Sequence, residues 1–134
     1  MRSTRSSRGW HIAALRSYRL PNEPAYRQVA VHGKFIRTPS FSMRWIESPD
    51  GFCRFCFLAK KKNGNAVYRN KCRRLLRPLF FERVPHIAKP VWAMIIVSDK
   101  AGEVSSERMR QSALKVFKKM EWTEGLDLGA MPNE

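Results

Sequence analysis

The chain has 134 residues, of which 26 are Lys or Arg and 11 are Asp or Glu, so its formal net charge is +15. A hydrophobic share of 43% fits one folded domain, the longest apolar run (91–97) is too short to span a bilayer, and three cysteines are too few for a disulfide framework. Because residues 1–98 hold 20 basic and only 4 acidic side chains, we expect a polyanionic partner, and nucleic acid rather than a membrane surface.

Three segments are predicted along the chain: a basic, mobile arm over residues 1–21, an RNA-binding α/β body over residues 22–121, and a frayed acidic tail over residues 122–134. The arm is rich in Ser and Arg and has no acidic residue before position 23, so it cannot bury much apolar surface. The same composition is typical of a mitochondrial transit peptide, which leaves a mitochondrion or another organelle as an alternative location.

The first predicted element is a helix. Asn22-Glu23-Pro24 carries the signals of a helix start, and Gly33 predicts its end. Tyr26, Val29 and Ala30 fall on one face of this helix.

Strand signals follow the first helix. Residues 36–38 favour a short strand, and residues 41–46 alternate apolar and polar side chains as a half-buried strand does. A turn at 49–51 separates residues 41–46 from residues 52–59, so we predict that these two segments form a β-hairpin. Residues 91–97 are apolar on both faces, which predicts a buried central strand.

A closing helix is predicted after residue 104. Ser105 suits its N-cap. The apolar residues that recur at helical spacing are Met109, Ala113, Leu114, Phe117 and Met120.

The most informative segment is a basic helix that begins after Asn63-Gly64-Asn65. At 100° per residue, one face gathers Arg69, Asn70, Arg73, Arg74 and Arg77, and the opposite face gathers Tyr68, Cys72, Leu75, Leu76 and Leu79. From Lys60 to Arg77 there are eight basic residues and no acid. Since a solvated helix face usually mixes both signs, this face predicts contact with nucleic acid.

Pro78 interrupts the basic helix pattern. A proline inside a helix lacks the backbone N–H and clashes with the preceding turn, and it also disfavours helical geometry at the residue before it. We therefore predict that the basic helix ends or kinks near Arg77.

The segment Lys61–Arg77, KKNGNAVYRNKCRRLLR, resembles the signature of the bacterial ribonuclease P protein family. The resemblance implies a single α+β domain, a ribosomal-protein-like α-β-β-β-α-β-α sandwich with a left-handed crossover through the signature helix, where a right-handed crossover is the general expectation. It further implies a non-catalytic protein subunit of an endoribonuclease. Its partners would be a catalytic RNA subunit, which holds the Mg²⁺ ions, and precursor tRNA, which loses its 5′ leader. The expected setting is the bacterial cytoplasm, with one protein in each ribonucleoprotein.

The resemblance assigns the candidate site residues to two groups. The predicted contacts with the RNA subunit are Lys61, Lys62, Asn65, Arg69, Asn70, Lys71, Arg73, Arg74 and Arg77. A predicted cleft for the single-stranded leader contains Tyr26, Arg54 and Lys60. Tyr26 either stacks on a leader base or packs the first helix on the sheet, and both roles stay open.

Three other functions share parts of this pattern. A ribosomal or other structural RNA-binding protein has the same composition, and only the signature distinguishes it. Cys53, Cys56, Cys72 and His86 have the ligand types of a zinc site, but residues three apart on a strand point to opposite faces, so we expect buried thiols and no protein-bound metal. An autonomous nuclease needs paired acids or a His–acid pair, whereas the few acids before Asp99 are scattered.

Overall fold

The computed structural model of the chain describes residues 19–124; the remainder of the predicted arm and tail lies outside them. The elements, in chain order, are α1 (Glu23–His32), β1 (Lys34–Arg37), β2 (Phe41–Glu47), β3 (Arg54–Ala59), α2 (Ala66–Phe81), β4 (Val91–Val97) and α3 (Ser106–Met120). This order and the α+β class confirm the expected fold. None of the helices within residues 19–124 is long and apolar enough to cross a membrane.

The helix starts follow the predicted local signals. At each one a side-chain oxygen accepts a hydrogen bond from a backbone N–H three residues later, at 3.1 Å: Asn22 from Ala25, Asn65 from Tyr68, and Ser105 from Arg108. These bonds satisfy N–H groups that have no partner within the helix. The three helix starts indicated by the sequence are therefore confirmed.

The four strands form one sheet in the order β1-β2-β4-β3. β2 is antiparallel to both β1 and β4, whereas β3 is parallel to β4 and is joined to it by a crossover through α2. The predicted hairpin between residues 41–46 and 52–59 is therefore wrong. β4 is apolar on both faces, so burial at a central position of the sheet stabilises it most. In this position β4 separates β2 from β3.

The connection from β2 to β3 passes the start of β4. Ser48 donates its backbone N–H to the carbonyl of Pro90 at 2.9 Å, and the indole N–H of Trp92 donates to Asp50 at 3.1 Å. The hairpin that does form joins β1 to β2, and it is closed by the N–H of Thr38 bonding to the carbonyl of Phe41.

The main core lies on one face of the sheet, under α2 and α3. Its centre is Phe80, which is fully buried near the end of α2. The ring centroid of Phe80 lies 5.3–5.9 Å from those of Phe41, Phe55, Phe57 and Phe117. This aromatic cluster joins both helices to β2 and β3.

The end of α2 differs from the prediction. α2 continues through Pro78 to Phe81, so of the two predicted alternatives an end near Arg77 is wrong, while a kink stays a prediction. Pro78 removes the hydrogen bond that its N–H would donate to the carbonyl of Arg74, at a cost of about 3 kcal/mol. Burial of Phe80 and Phe81 in the next turn offsets this cost, because each buried Phe side chain contributes about 1.5–3 kcal/mol.

α1 covers part of the opposite face of the sheet. Ala25 and Val29 are buried against Trp92, together with Leu20 from the segment before the helix. Ala30, which helical spacing places on the same face as Val29, is exposed. The uncovered part of this sheet face remains open beside α1.

The folded body extends past both predicted limits, residues 22 and 121. Leu20 is buried, and Arg19 forms a parallel bridge with Phe55 at the edge of β3. Beyond α3, Trp122 is buried with its ring centroid 6.2 Å from that of Phe117. Because of these contacts, Arg19, Leu20 and Trp122 belong to the folded body and not to the predicted arm and tail.

Candidate nucleic-acid interface

The loop before α2 depends on the residue types of the signature. A Cβ atom on Gly64 would lie 2.3 Å from Cγ of Tyr68, so no side chain fits at this position. The hydroxyl of Tyr68 donates to the carbonyl of Asp99 at 2.6 Å, and burial raises the pKa of Tyr68 to about 12. Gly64, the N-cap Asn65 and Tyr68 together determine where the basic face of α2 begins.

Asp99 joins this loop to α3. Its carboxylate is almost fully buried and accepts two hydrogen bonds from Arg108, at 2.6 Å to Nη2 and 3.0 Å to Nε. Nearby, the N–H of Ala101 donates to the carbonyl of Asn63 at 3.0 Å. The start of α2 and the start of α3 are therefore held together.

The basic face of α2 consists of six predicted RNA-contact residues. Asn70, Lys71 and Arg74 are exposed, and Arg69, Arg73 and Arg77 are half-buried. The ion pairs seen among residues 19–124 are Glu23–Arg27, Asp50–Arg54 and Asp99–Arg108, and none of these pairs includes a residue of α2. The positive charge of this face is therefore available to an external anion.

Three arginines converge at the outer edge of β3. Arg73 and Arg77 line a cavity of about 310 Å³ together with Arg19 and Tyr26, and Nε of Arg73 donates to the carbonyl of Phe57 at 3.4 Å. Burial, followed by the like charges of Arg19 and Arg73, lowers the pKa of Arg77. None of the described residues that line the cavity is acidic. This convergence of guanidinium groups favours a bound anion.

Tyr26 and Arg54, two of the predicted leader-cleft residues, line one groove beside the start of α1. The side of Tyr26 nearest the sheet lies by Cys56, and burial raises the pKa of the Tyr26 hydroxyl. The residue is nevertheless 36% exposed. It therefore packs α1 on the sheet and also presents an aromatic surface to the groove.

Asp50 fixes the position of Arg54. The carboxylate accepts hydrogen bonds from Nε of Arg54 (2.8 Å), the hydroxyl of Ser48 (2.8 Å), the N–H of Phe52 (3.1 Å) and the indole of Trp92 (3.1 Å). Burial alone would raise the pKa of Asp50, but these hydrogen bonds outweigh burial and lower it to about 2. The Asp50 carboxylate therefore stays ionised and holds the Arg54 side chain at the end of the groove.

Lys60, the third predicted cleft residue, lies at the other end of β3 from Arg54. Together with Lys62 it lines a separate depression of about 650 Å³ on the open sheet face, where Arg37 and Arg44 also lie. Lys61 is exposed in the short 3-10 turn before α2. The predicted cleft residues therefore border two different parts of the open face.

The profile of the ribonuclease P family matches residues 15–121. The chain belongs to the ribonuclease P protein family. It is 29% identical over 104 residues to the ribonuclease P protein component of Levilactobacillus brevis, covering 77% of this chain and 88% of that protein. It is 24% identical over 119 residues to the component of Geobacillus kaustophilus, covering 88% and 96%.

Solved structures of ribonuclease P proteins share this fold. A Staphylococcus aureus RNase P protein mutant superposes with a TM-score of 0.73 at 21% identity, covering 84% of this chain and 95% of that one. The Thermotoga maritima RNase P protein gives a TM-score of 0.65 at 23% identity, covering 75% and 96%. These likenesses confirm the fold expected from the signature.

Several basic and aromatic residues of this ribonuclease P protein surface were missed from the sequence. Arg19 was assigned to the mobile arm, and Phe35, Arg37 and Arg44 were not among the candidate site residues. The ring of Phe35 is 43% exposed, and the guanidinium carbons of Arg37 and Arg44 lie 5.3 and 5.0 Å from its centroid. The alternation within β2 contained a signal for Arg44, because it must point away from the buried Met43.

The cysteines of this family member do not form a cluster. Cys53 and Cys72 belong to the main core, whereas Cys56 packs on the opposite face of the sheet near α1. All three are free thiols, and no group of three or more metal-ligating side chains occurs among residues 19–124. The expected separation of Cys53 and Cys56 onto opposite faces is confirmed.

Proposed function

We propose that this chain binds a bacterial ribonuclease P RNA and supports removal of the 5′ leader from precursor tRNA. The observation that carries the proposal is the basic face of α2, where six polar or cationic side chains of the family signature lie together without an acidic residue among them. Such a face repels itself unless an anion neutralises it, and a folded RNA offers closely spaced phosphates.

The exposed part of this face suits the RNA subunit. Asn70, Lys71 and Arg74 project from a helix whose start is fixed by Gly64 and Asn65. The guanidinium of Arg74 can bond two phosphate oxygens at once, whereas Lys71 contributes a point charge. Because the helix fixes the backbone positions of both groups, docking on an RNA backbone does not have to order the main chain first.

The cavity beside Tyr26 suits the leader. Tyr26 offers a ring on which a base can stack, and Arg19, Arg73 and Arg77 place positive charge around it. A stacked base together with phosphate contacts is how proteins bind single strands without reading their sequence. We propose that Arg54, held by Asp50, extends this path along α1, and that Lys60 and Lys62 contact RNA at the other end of β3.

We propose further that the RNA subunit holds the Mg²⁺ ions and carries out the hydrolysis. The contribution of the protein is then electrostatic, because its positive charge offsets the repulsion between the RNA subunit and precursor tRNA. We therefore expect cleavage to require less Mg²⁺ when the protein is present than when the RNA subunit acts alone. We further propose one such protein in each ribonucleoprotein. Because the relatives are bacterial, we place this ribonucleoprotein in the bacterial cytoplasm.

Reconstitution tests this function. A bacterial ribonuclease P RNA, precursor tRNA and the full chain are combined at low Mg²⁺ concentration, and the rate of leader removal is measured with and without the protein. We expect cleavage to depend on both RNA and protein, and the protein alone to cleave nothing. RNA binding without any effect on cleavage would instead indicate a structural RNA-binding protein, and cleavage that survives removal of the RNA would indicate an autonomous nuclease.

A further inference from the structure

A second basic groove lies between β1 and the last two turns of α3, at the sheet edge opposite β3. Four cationic side chains line it: Arg37, Lys115, Lys118 and Lys119. We call this surface the lysine groove. Its volume is about 490 Å³, and the other described residues that line it are apolar or uncharged. None of its residues belongs to the family signature.

The charge of the lysine groove has little compensation from α3 itself. The acid within α3, Glu107, lies in the first turn, where its carboxylate accepts a hydrogen bond from Gln111 at 2.7 Å. Glu121 follows the helix but does not line the groove. Lys118 and Lys119 are neighbours in the last turn of α3, and both are exposed in the groove that Arg37 of β1 also lines. An anion in the groove would be attracted by all three of these charges.

The position of the lysine groove indicates which partner can reach it. α2 and α3 pack side by side on the same face of the sheet, whereas α1 and the Tyr26 groove lie on the other. β1 and β3 are separated by three strand spacings of about 4.8 Å each. A large RNA that docks on the helix layer at α2 can therefore also reach α3, while a leader strand beside Tyr26 lies on the opposite side.

We infer that the lysine groove binds the phosphate backbone of the RNA subunit and forms a second contact, separate from the signature helix. This inference rests on the proposed function. Lysine ammonium groups suit the role because they neutralise phosphates as point charges without reading bases. The two contacts together would fix the orientation of the protein on the RNA, which one helix alone does not.

The test compares three full-length chains: the wild type, Lys118→Gln/Lys119→Gln, and the charge-matched control Lys100→Gln/Arg110→Gln. The control removes two exposed cations that do not line the groove. Affinity for a bacterial ribonuclease P RNA, and separately for precursor tRNA, is measured from 0.1 to 0.5 M salt. Circular dichroism melts verify that all three chains are equally folded.

We expect the groove variant to bind the RNA subunit about 10- to 30-fold more weakly than the control at 0.15 M salt, with a salt slope smaller by about 2, because two counterion-releasing contacts are lost. Equal affinity of the two variants would overturn the inference. A loss confined to precursor tRNA would overturn the assignment to the RNA subunit. Failure of the wild-type chain to bind the RNA subunit would instead refute the proposed function.

Discussion

Replacement of Pro78 by Ala tests the path of α2 through its basic face. In the structure Pro78 is an exposed residue inside the helix, and the carbonyl of Arg74 receives no N–H from it. An alanine restores that donor and removes the clash of the pyrrolidine ring with the preceding turn. Since the Pro78 ring is exposed, little apolar burial is lost.

The expected gain follows from opposing effects. A proline inside a helix costs about 3 kcal/mol relative to alanine, but position 78 lies one turn from the end of α2, where the helix is least constrained. Loss of proline also raises the entropy of the unfolded chain, which reduces the gain in the free energy of unfolding by about 0.4–1 kcal/mol. We expect Pro78→Ala to raise the free energy of unfolding by about 1–2 kcal/mol, which corresponds to a Tm increase of about 4–8 °C in a domain of this size.

Denaturant unfolding and thermal melts of the full chain measure this gain, and Pro24→Ala is the matched control. Pro24 lies in the first turn of α1, where a backbone N–H has no acceptor within the helix, so its replacement restores nothing. We expect Pro24→Ala to be neutral or slightly destabilising. If Pro78→Ala gives no more stability than Pro24→Ala, then α2 does not continue as a helix through residue 78.

Three further predictions concern the loops and grooves of the site. Because the pKa of Asp50 is lowered from 3.8 to about 2, its ionised form stabilises the fold above pH 4. The stability advantage of the wild type over Asp50→Asn should therefore shrink from pH 4 to pH 2 in urea melts, and a constant difference would contradict the hydrogen-bond network. Gly64→Ala should lower the free energy of unfolding by about 1–3 kcal/mol through its clash with Tyr68, whereas Gly102→Ala, whose Cβ meets nothing within 4 Å, should not; equal effects would refute the close approach. Tyr26→Ala should weaken binding of precursor tRNA to the reconstituted complex by about 1–3 kcal/mol and leave mature tRNA unaffected, and an equal loss for both RNAs would count against stacking on the leader.

The elements that were predictable from the sequence are those determined by neighbouring residues. Asn22, Asn65 and Ser105 start their helices through bonds that reach only three residues along the chain. The basic face of α2 was equally predictable, because helical periodicity alone places Arg74 nearly opposite the buried Leu76. Local signals therefore contained both the order of the elements and half of the candidate site.

Contacts between distant segments could not be predicted in the same way. The pattern of residues 41–59 is satisfied by a hairpin and equally by two strands on either side of β4, and only the choice of partner for β4 decides between them. The local rule for Pro78 considers the cost of a proline inside a helix but not the burial of Phe80 in a core assembled from β2, β3 and α3. Arg19 joins Arg77 only because β3 is an edge strand.

The central claim is that the exposed basic face of α2 is where this chain binds the RNA subunit. The most direct test is the affinity of a bacterial ribonuclease P RNA for Lys71→Gln/Arg74→Gln, compared with the equally charged control Lys100→Gln/Arg110→Gln at 0.15 M salt. All four side chains are exposed, so both variants should melt like the wild type. We predict a loss of about 10- to 30-fold for the α2 variant, with a salt slope smaller by about 2, and an affinity near that of the wild type for the control. Equal affinity of the two variants for the RNA would contradict the claim.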